Sequence, residues 1–327
     1  MKNCTDPFRC FEKLRFLVYG DVIADHYFYG RCTKLCQEGP VPVFLVGDTT
    51  LSYGAANCVR DNLEEAILSP GAALLLPFVP KTSHKYRYYQ EDVLLLRVDR
   101  EDGVPFQFSA SEQEEALLSL EEELHHVDAV IISDYHKGAV TYLSQKMIKD
   151  SGLPVYLDPH PKTKYIFNSV ALMTPNRAEY EALRLSHFDM VESSPVIITE
   201  GAGGVTVLDL DREPVVIPAK ERAPICVTGA GDCLMAYAAC AVQAGFSVYT
   251  AARLGNIAAG IGVMRKGNSV CGREDLARSV EQEIQAGNGR GLECPAGVDC
   301  PFRVQQPGQS CSAALPTSPT GEPGAGE

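Results

Sequence analysis

From residue 129 to residue 199 the chain alternates short apolar runs with amphipathic stretches. Runs at 129–133, 155–158, 170–174 and 196–199 are four or five residues long and rich in Val, Ile and Leu. Such runs are too short for helices and read as buried strands. Stretches of helical period lie at 141–151 and 177–185. Short strands joined through helices pair in parallel by right-handed crossovers, and such a sheet must be covered on both faces. The pattern restricts the chain to an α/β fold, a mostly parallel sheet with helices on both faces.

The flanking segments extend this reading. Residues 14–19 form an apolar strand ending in Gly20-Asp21. A second apolar run, 41–46, follows Pro40, and β-rich runs at 86–90 and 93–98 flank Glu91-Asp92 as a hairpin. Ser111 and Glu114 have capping-box spacing and open a helix over 111–125. Runs at 205–209 and 214–218 read as an antiparallel edge. Helices at 232–244 and 248–263 are rich in Ala and Gly, and a last helix covers 273–286. One domain is expected over 14–286, with lid strands near 41–48 and 86–98 and residues 1–13 as an N-terminal extension. Residues 287–327 are rich in Gly and Pro and lack Lys, a composition that buries no core and predicts a disordered tail.

Charge narrows the partners. Of 327 residues, 42 are Asp or Glu and 29 Lys or Arg, a formal charge of −13. An acidic surface repels nucleic acid and anionic membrane. No apolar run reaches membrane-spanning length, and the first residues lack a signal-peptide core, so a cytoplasmic protein is expected. Cys32 and Cys36, or Cys294 and Cys300, have no partner motif of zinc-binding spacing.

The most specific stretch is Val227-Thr228-Gly229-Ala230-Gly231-Asp232, leading into an apolar helix. A glycine loop opening a helix presents free N–H groups and the positive dipole end. Asp232 there has two readings. It is a helix cap, or it is a base that takes a proton from a hydroxyl while the amides stabilise a transferred phosphoryl group. Other strand ends carry polar groups too: Gly20-Asp21 with Asp25, Ser133–Gly138, Asp158-Pro159-His160 and Thr174–Glu179, besides the small turn Gly54-Ala55-Ala56-Asn57. Ligands of open α/β sheets sit outside the carboxyl ends of the strands, so these groups describe one site.

In this order the motifs resemble the ribokinase-like (PfkB) carbohydrate kinases. The stretch from Gly20 to Gly30, the stretch from Glu38 to Val43, Ser133–Gly138 and Thr174–Glu179 are similar to the branch that phosphorylates heptose 7-phosphate, the kinase half of the bacterial bifunctional ADP-heptose synthesis protein. The similarity runs from about residue 14 to residue 276. It implies ATP and Mg²⁺ as cofactors and a sugar or sugar phosphate as acceptor. It further implies Asp232 as general base, with Gly229, Ala230 and Gly231 as the anion hole. Asp25, Gly54 and Asn57 would line the sugar, and Arg87 and Lys137 would meet the substrate's own phosphate. Asn176, Arg177, Ala178 and Glu179 would face the ATP phosphates, with Glu179 nearest Mg²⁺. Thr199, Glu200 and Gly201 would lie by the nucleotide and Asn256 by the adenine. The lid would close over the sugar and offer a homodimer surface.

Three departures stand out. Cys226 replaces an Asp that supports a monovalent-cation site in the family. His160 stands where Lys is usual. Between Asn57 and Lys85 the family has a further βα unit and strand, whereas here only residues 58–84 intervene, with 72–76 as a lone apolar run. No counterpart of the cytidylyltransferase half is expected in the chain. The resemblance leaves two other readings open: a PfkB kinase of a different sugar or nucleoside, and a catalytically inactive relative that binds a nucleotide or partner.

Overall fold

The computed structural model describes residues 8–286 apart from 70, 77–82, 102–104, 211, 221–223, 266 and 269. The expected tail therefore lies outside the described residues. The chain runs β1 (Phe16–Gly20), β2 (Val22–Leu35), β3 (Pro42–Ala55), α1 (Ala56–Ile67), β4 (Ala73–Leu76), β5 (Ser83–Gln90) and β6 (Val93–Arg100). It continues with α2 (Ala110–Leu124), β7 (Ala129–Ser133), α3 (Tyr142–Ser151), β8 (Val155–Asp158), β9 (Leu172–Met173), α4 (Arg177–Ser186), α5 (Phe188–Glu192) and β10 (Val196–Thr199). The hairpin β11 (Val205–Leu208) and β12 (Val215–Ile217) leads to α6 (Ala230–Gln243), α7 (Val248–Gly262) and α8 (Arg273–Gln285).

Eight strands form one sheet in the order β12-β11-β10-β9-β8-β7-β1-β4, parallel except for the antiparallel β11 and β12. Alternate side chains of β1 serve its two faces. Phe16 and Val18 enter a core with α1, α6, α7 and α8, whereas Leu17 and Tyr19 join one with α2, α3, α4 and α5. The expected α/β architecture is therefore present, and the parallel strands deliver their carboxyl ends to one rim.

The lid is larger than the apolar runs indicate. It is a four-stranded sheet, β3-β2-β5-β6, in which β2 pairs in parallel with β5 and antiparallel with β3. The apolar runs mark no strand over residues 22–35. These residues form β2, because Ile23, Asp25 and Tyr27 alternate inward on a strand whose apolar content comes from aromatic rings. The run 41–46 extends to residue 55 for the same reason, since β2 is there to pair with it.

Other expectations shift by a residue or two. The capping box of α2 is Ser109 with Glu112, two residues ahead of Ser111 and Glu114. Ser109 Oγ accepts from the Glu112 amide, and the Ser109 amide donates to Glu112 Oε2 at 2.7 Å. Both pairs have the right spacing, and the entering chain, held by the Phe106 amide on the Lys137 carbonyl, selects the upstream one. The run 72–76 is not alone: β4 pairs with β1 and ends the large sheet. The sheet edge left by the shorter 58–84 segment is thus β4 itself, whose Leu74, Leu75 and Leu76 are half-buried. Ahead of β1, Phe8 and Phe11 are buried in the core, with Phe11 edge-on to Phe246. Among the described residues no helix is long and apolar enough to cross a membrane.

Candidate active site

Asp232 sits in the first turn of α6, and its position follows from Gly229. Gly229 is the N-cap with φ +83°, and a Cβ there would meet Cys58 Sγ at 2.9 Å. Only glycine combines that left-handed backbone with that close approach. No side chain caps α6 among the described residues; the Ala230 amide donates to the Val227 carbonyl at 3.4 Å, and the first turn carries the positive end of the helix dipole. Gly229, Ala230 and Gly231, expected as an anion hole, form this N-cap and the first two residues of α6.

Asp232 is 3% exposed. Burial pushes its carboxyl up to about 6, opposed by hydrogen bonds from Tyr135 and Cys58. The Tyr135 hydroxyl donates to Asp232 Oδ1 at 2.9 Å. A carboxylate held near neutrality by burial has the proton affinity a general base needs.

From the lid comes Asp25, whose charge acts on Asp232. It is buried and accepts from Arg87 Nη1 and, at 2.6 Å, from Asn268 Nδ2. Gly54 makes that contact possible, since a Cβ there would lie 2.8 Å from both Asp25 Oδ2 and Asn268 Nδ2. Asn268 Oδ1 is buried with no hydrogen-bond partner among the described residues. A buried unsatisfied acceptor asks for a donor, and a substrate hydroxyl is one. Asn268 was not read from the sequence, as no motif marks it.

The residues expected around the sugar separate into two groups. Asp25 and Gly54 meet at Asn268, and the Asp25 charge acts on Asp232. Asn57 lies on α1 and is committed to its own helix: Nδ2 donates to Asp61 Oδ2 at 3.0 Å, and Arg60 donates to Oδ1. Arg87 is not a free cation but the buried partner of Asp25, stacked over Tyr27. Lys137 is paired with Glu101 at 2.6 Å on the loop rim. Half-buried Lys85, directly across from Asp25 in the β2–β5 register, also favours the ionised Asp232. Burial lowers the pKa of Lys85.

The nucleotide-side residues form a second wall. Asn176 bridges to Thr199, which sets the loop before α4 beside the end of β10. Asn176 and Glu179 close a capping box, and Arg177 pairs with Glu200 while Ala178 is exposed in the first turn. Gly201 opens the turn 201–203, whose end packs against Ile217 and Pro218. Beyond it lies a cavity of about 510 Å³ lined by Ile217, Pro218, Tyr249, Arg253, Asn256 and Glu283. Asn256 Nδ2 donates to the Pro218 carbonyl at 3.0 Å.

Asp158, at the end of β8, and Glu179 both have pKa raised by burial; for Asp158 the neighbouring charges of Asp232 and Glu179 add to it. Among the described residues no three His, Cys, Asp or Glu side chains converge as a metal cage. Magnesium arriving on nucleotide phosphates needs only one or two carboxylates, and Glu179 on this acidic wall fits that requirement. Half-buried Cys226 offers a thiol where a monovalent cation would want oxygen, so that position does not fit one. His160 stacks on His136 at 4.9 Å between ring centres.

A parallel sheet with its ligand groups on the carboxyl rim, covered by a β lid, is the ribokinase-like architecture. The ribokinase of Thermotoga maritima superposes with a TM-score of 0.60 at 18% identity, covering 82% of this chain and 99% of the ribokinase. Phosphofructokinase-2 of Escherichia coli, in complex with potassium, gives 0.63 at 12% identity, covering 85% and 99%. The model of the pfkB family carbohydrate kinases matches residues 90–275, and the chain belongs to that family, phosphotransferases with an alcohol group as acceptor. Among curated relatives, Bifunctional protein HldE of Photobacterium profundum is 29% identical, covering 85% of this chain and 66% of its own length. The protein of the same name from Vibrio vulnificus is 30% identical, covering 81% and 63%. The chain thus spans about two thirds of the length of these relatives.

Proposed function

We propose that this chain transfers the terminal phosphoryl group of ATP to a hydroxyl of a heptose 7-phosphate. The observation that carries the reading is the buried Asp232 in the first turn of α6, on which the Asp25 charge acts. The HldE relatives and the motif resemblance support the heptose phosphate as acceptor. Asp25 and Asn268 hold sugar hydroxyls, and Asp232 removes the proton from the attacking one. The amides of 229–231 receive the charge that develops on the phosphoryl oxygens. ATP lies along the 176–179 and 199–201 wall with its base in the 510 Å³ cavity by Asn256. Magnesium supplies charge neutralisation on the phosphates when bound, held there by Glu179.

Arg87 stays with Asp25 and fixes the lid. Lys137 leaves Glu101 for the incoming phosphate dianion, a better partner in charge. The lid exposes apolar residues along β6, with Val93, Leu95 and Leu96 in a hollow that Phe44 and Tyr88 also line, a surface suited to a homodimer in the cytoplasm. Phosphoryl transfer from ATP to members of a sugar-phosphate panel, read as ADP formed, tests the reading. Transfer to heptose 7-phosphate supports it, and transfer only to a free pentose or nucleoside would replace the acceptor.

A further inference from the structure

We propose that Tyr135 is the positioning residue of the base: its hydroxyl fixes the Asp232 carboxylate, and Asp21 fixes Tyr135 through the backbone of its loop. The inference rests on the reading of Asp232 as base. Tyr135 lies just past the end of β7, in a loop held from several directions. Asp21 is fully buried, and its Oδ2 accepts from the amides of Tyr135 at 2.8 Å and Lys137 at 3.0 Å. Its Oδ1 accepts from the Ala139 amide at 3.0 Å. Asp134 takes the His136 amide at 2.8 Å and the Tyr165 hydroxyl. His136 is held at φ +55°, a backbone state that a non-glycine residue keeps only where its surroundings impose it.

A loop this constrained for an ordinary connection is over-built. The Tyr135 side chain leaves this loop and ends on Asp232 Oδ1 at 2.9 Å. A carboxylate at the start of a helix can rotate about χ2, and only some orientations aim a lone pair at the acceptor hydroxyl. Tyr135 removes that freedom. Burial and the nearby Asp232 and Asp158 charges push the Tyr135 phenol well above its usual range, so it remains a donor throughout the working pH. Catalytic groups are held to productive geometry by supporting hydrogen bonds of this kind.

Asp232 is faced by Cys58 from α1, Asp25 from β2, Lys85 from β5, Asp158 from β8 and Tyr135. Of these, Tyr135→Phe alters one donor and keeps the ring. Losing a hydrogen bond to a charged group should move the titration of Asp232 up by about one pH unit or slightly more. Turnover should fall about tenfold or more even at pH 9, where Asp232 is ionised in both proteins, with KM for ATP unchanged. A residue that merely packed would not move the acidic limb.

The test follows two readouts in the wild type and in Tyr135→Phe. One is the pH profile of kcat/KM with MgATP and heptose 7-phosphate. The other is NMR titration of ¹³C-carboxyl-labelled aspartate, with Asp232 assigned through Asp232→Asn. The expected result is an upward move of both by about one unit. Asp21→Asn, which replaces one amide acceptor with a donor and loosens the loop, should move both in the same direction. Unchanged NMR titration in Tyr135→Phe overturns the proposal. If the NMR titration moves while Asp232→Asn turns over like the wild type, the contact is real but the base reading fails, and the positioning role with it.

Discussion

Replacing Arg87 with Met removes one half of a buried ion pair. The side chains of Arg87 and Asp25 are 7% and 3% exposed, so water cannot replace the lost partner. Breaking a buried pair from one side costs about 3–5 kcal/mol, most of it from the charge left uncompensated. Asn268 still donates to Asp25, and Lys85 stands opposite it, which places the expectation at the lower end, about 3 kcal/mol. The charge is the cause, so Asp25→Asn in the same chain should recover much of the loss. Urea unfolding of wild type, Arg87→Met and the double variant measures this. In kinetic terms Arg87→Met should raise KM for the sugar phosphate, by disordering Asp25, and leave KM for ATP nearly unchanged. A single variant as stable as the wild type, or a double variant that adds the two losses, would refute the pairing as the role of Arg87.

The kcat/KM profile should fall below about pH 6 as the Asp232 carboxyl protonates, and a flat profile from pH 5 to 8 contradicts the assignment. Because the folded pKa of Asp232 lies above its unfolded value, the fold binds the extra proton between about pH 4 and 6, and stability falls as pH rises through that window. Asp232→Asn should therefore stabilise the protein at pH 8 by about 2–3 kcal/mol, with the gain shrinking toward pH 4, as thermal unfolding across pH would show. Phe11→Ala empties a fully buried site between Phe8 and Phe246 and should cost about 3–5 kcal/mol in urea unfolding; a negligible loss would mean that the segment before β1 does not belong to the core.

The strands most open to sequence reading are those buried on both faces. β7, β8 and β10 appear at their observed bounds because five or fewer consecutive apolar residues fit nothing else in an α/β pattern. β2 is illegible for the opposite reason. Asp25, His26 and Arg31 interrupt it, and its strand character comes from pairing with β3 and β5 rather than from its own composition. The site divides the same way. Asp232 and its glycines announce themselves because one local motif carries both the helix start and the base. The Arg87–Asp25 pair spans 62 residues and exists only because β2 and β5 run parallel in register. Asn268 and Cys58 carry no motif, and Tyr135, visible within Ser133–Gly138, acquires a role only when the fold brings it to Asp232.

The central claim is that Asp232 is the base of a phosphoryl transfer to a phosphorylated seven-carbon sugar. ADP release from MgATP, measured with heptose 7-phosphate and with the unphosphorylated heptose for the wild type and Asp232→Asn, tests it most directly. The account predicts preferential use of the phosphorylated sugar by the wild type and a fall of about 10²–10⁴ in turnover for the variant, with nucleotide binding kept. Equal turnover by the Asn variant, or no sugar-dependent ADP release from the wild type, would contradict it.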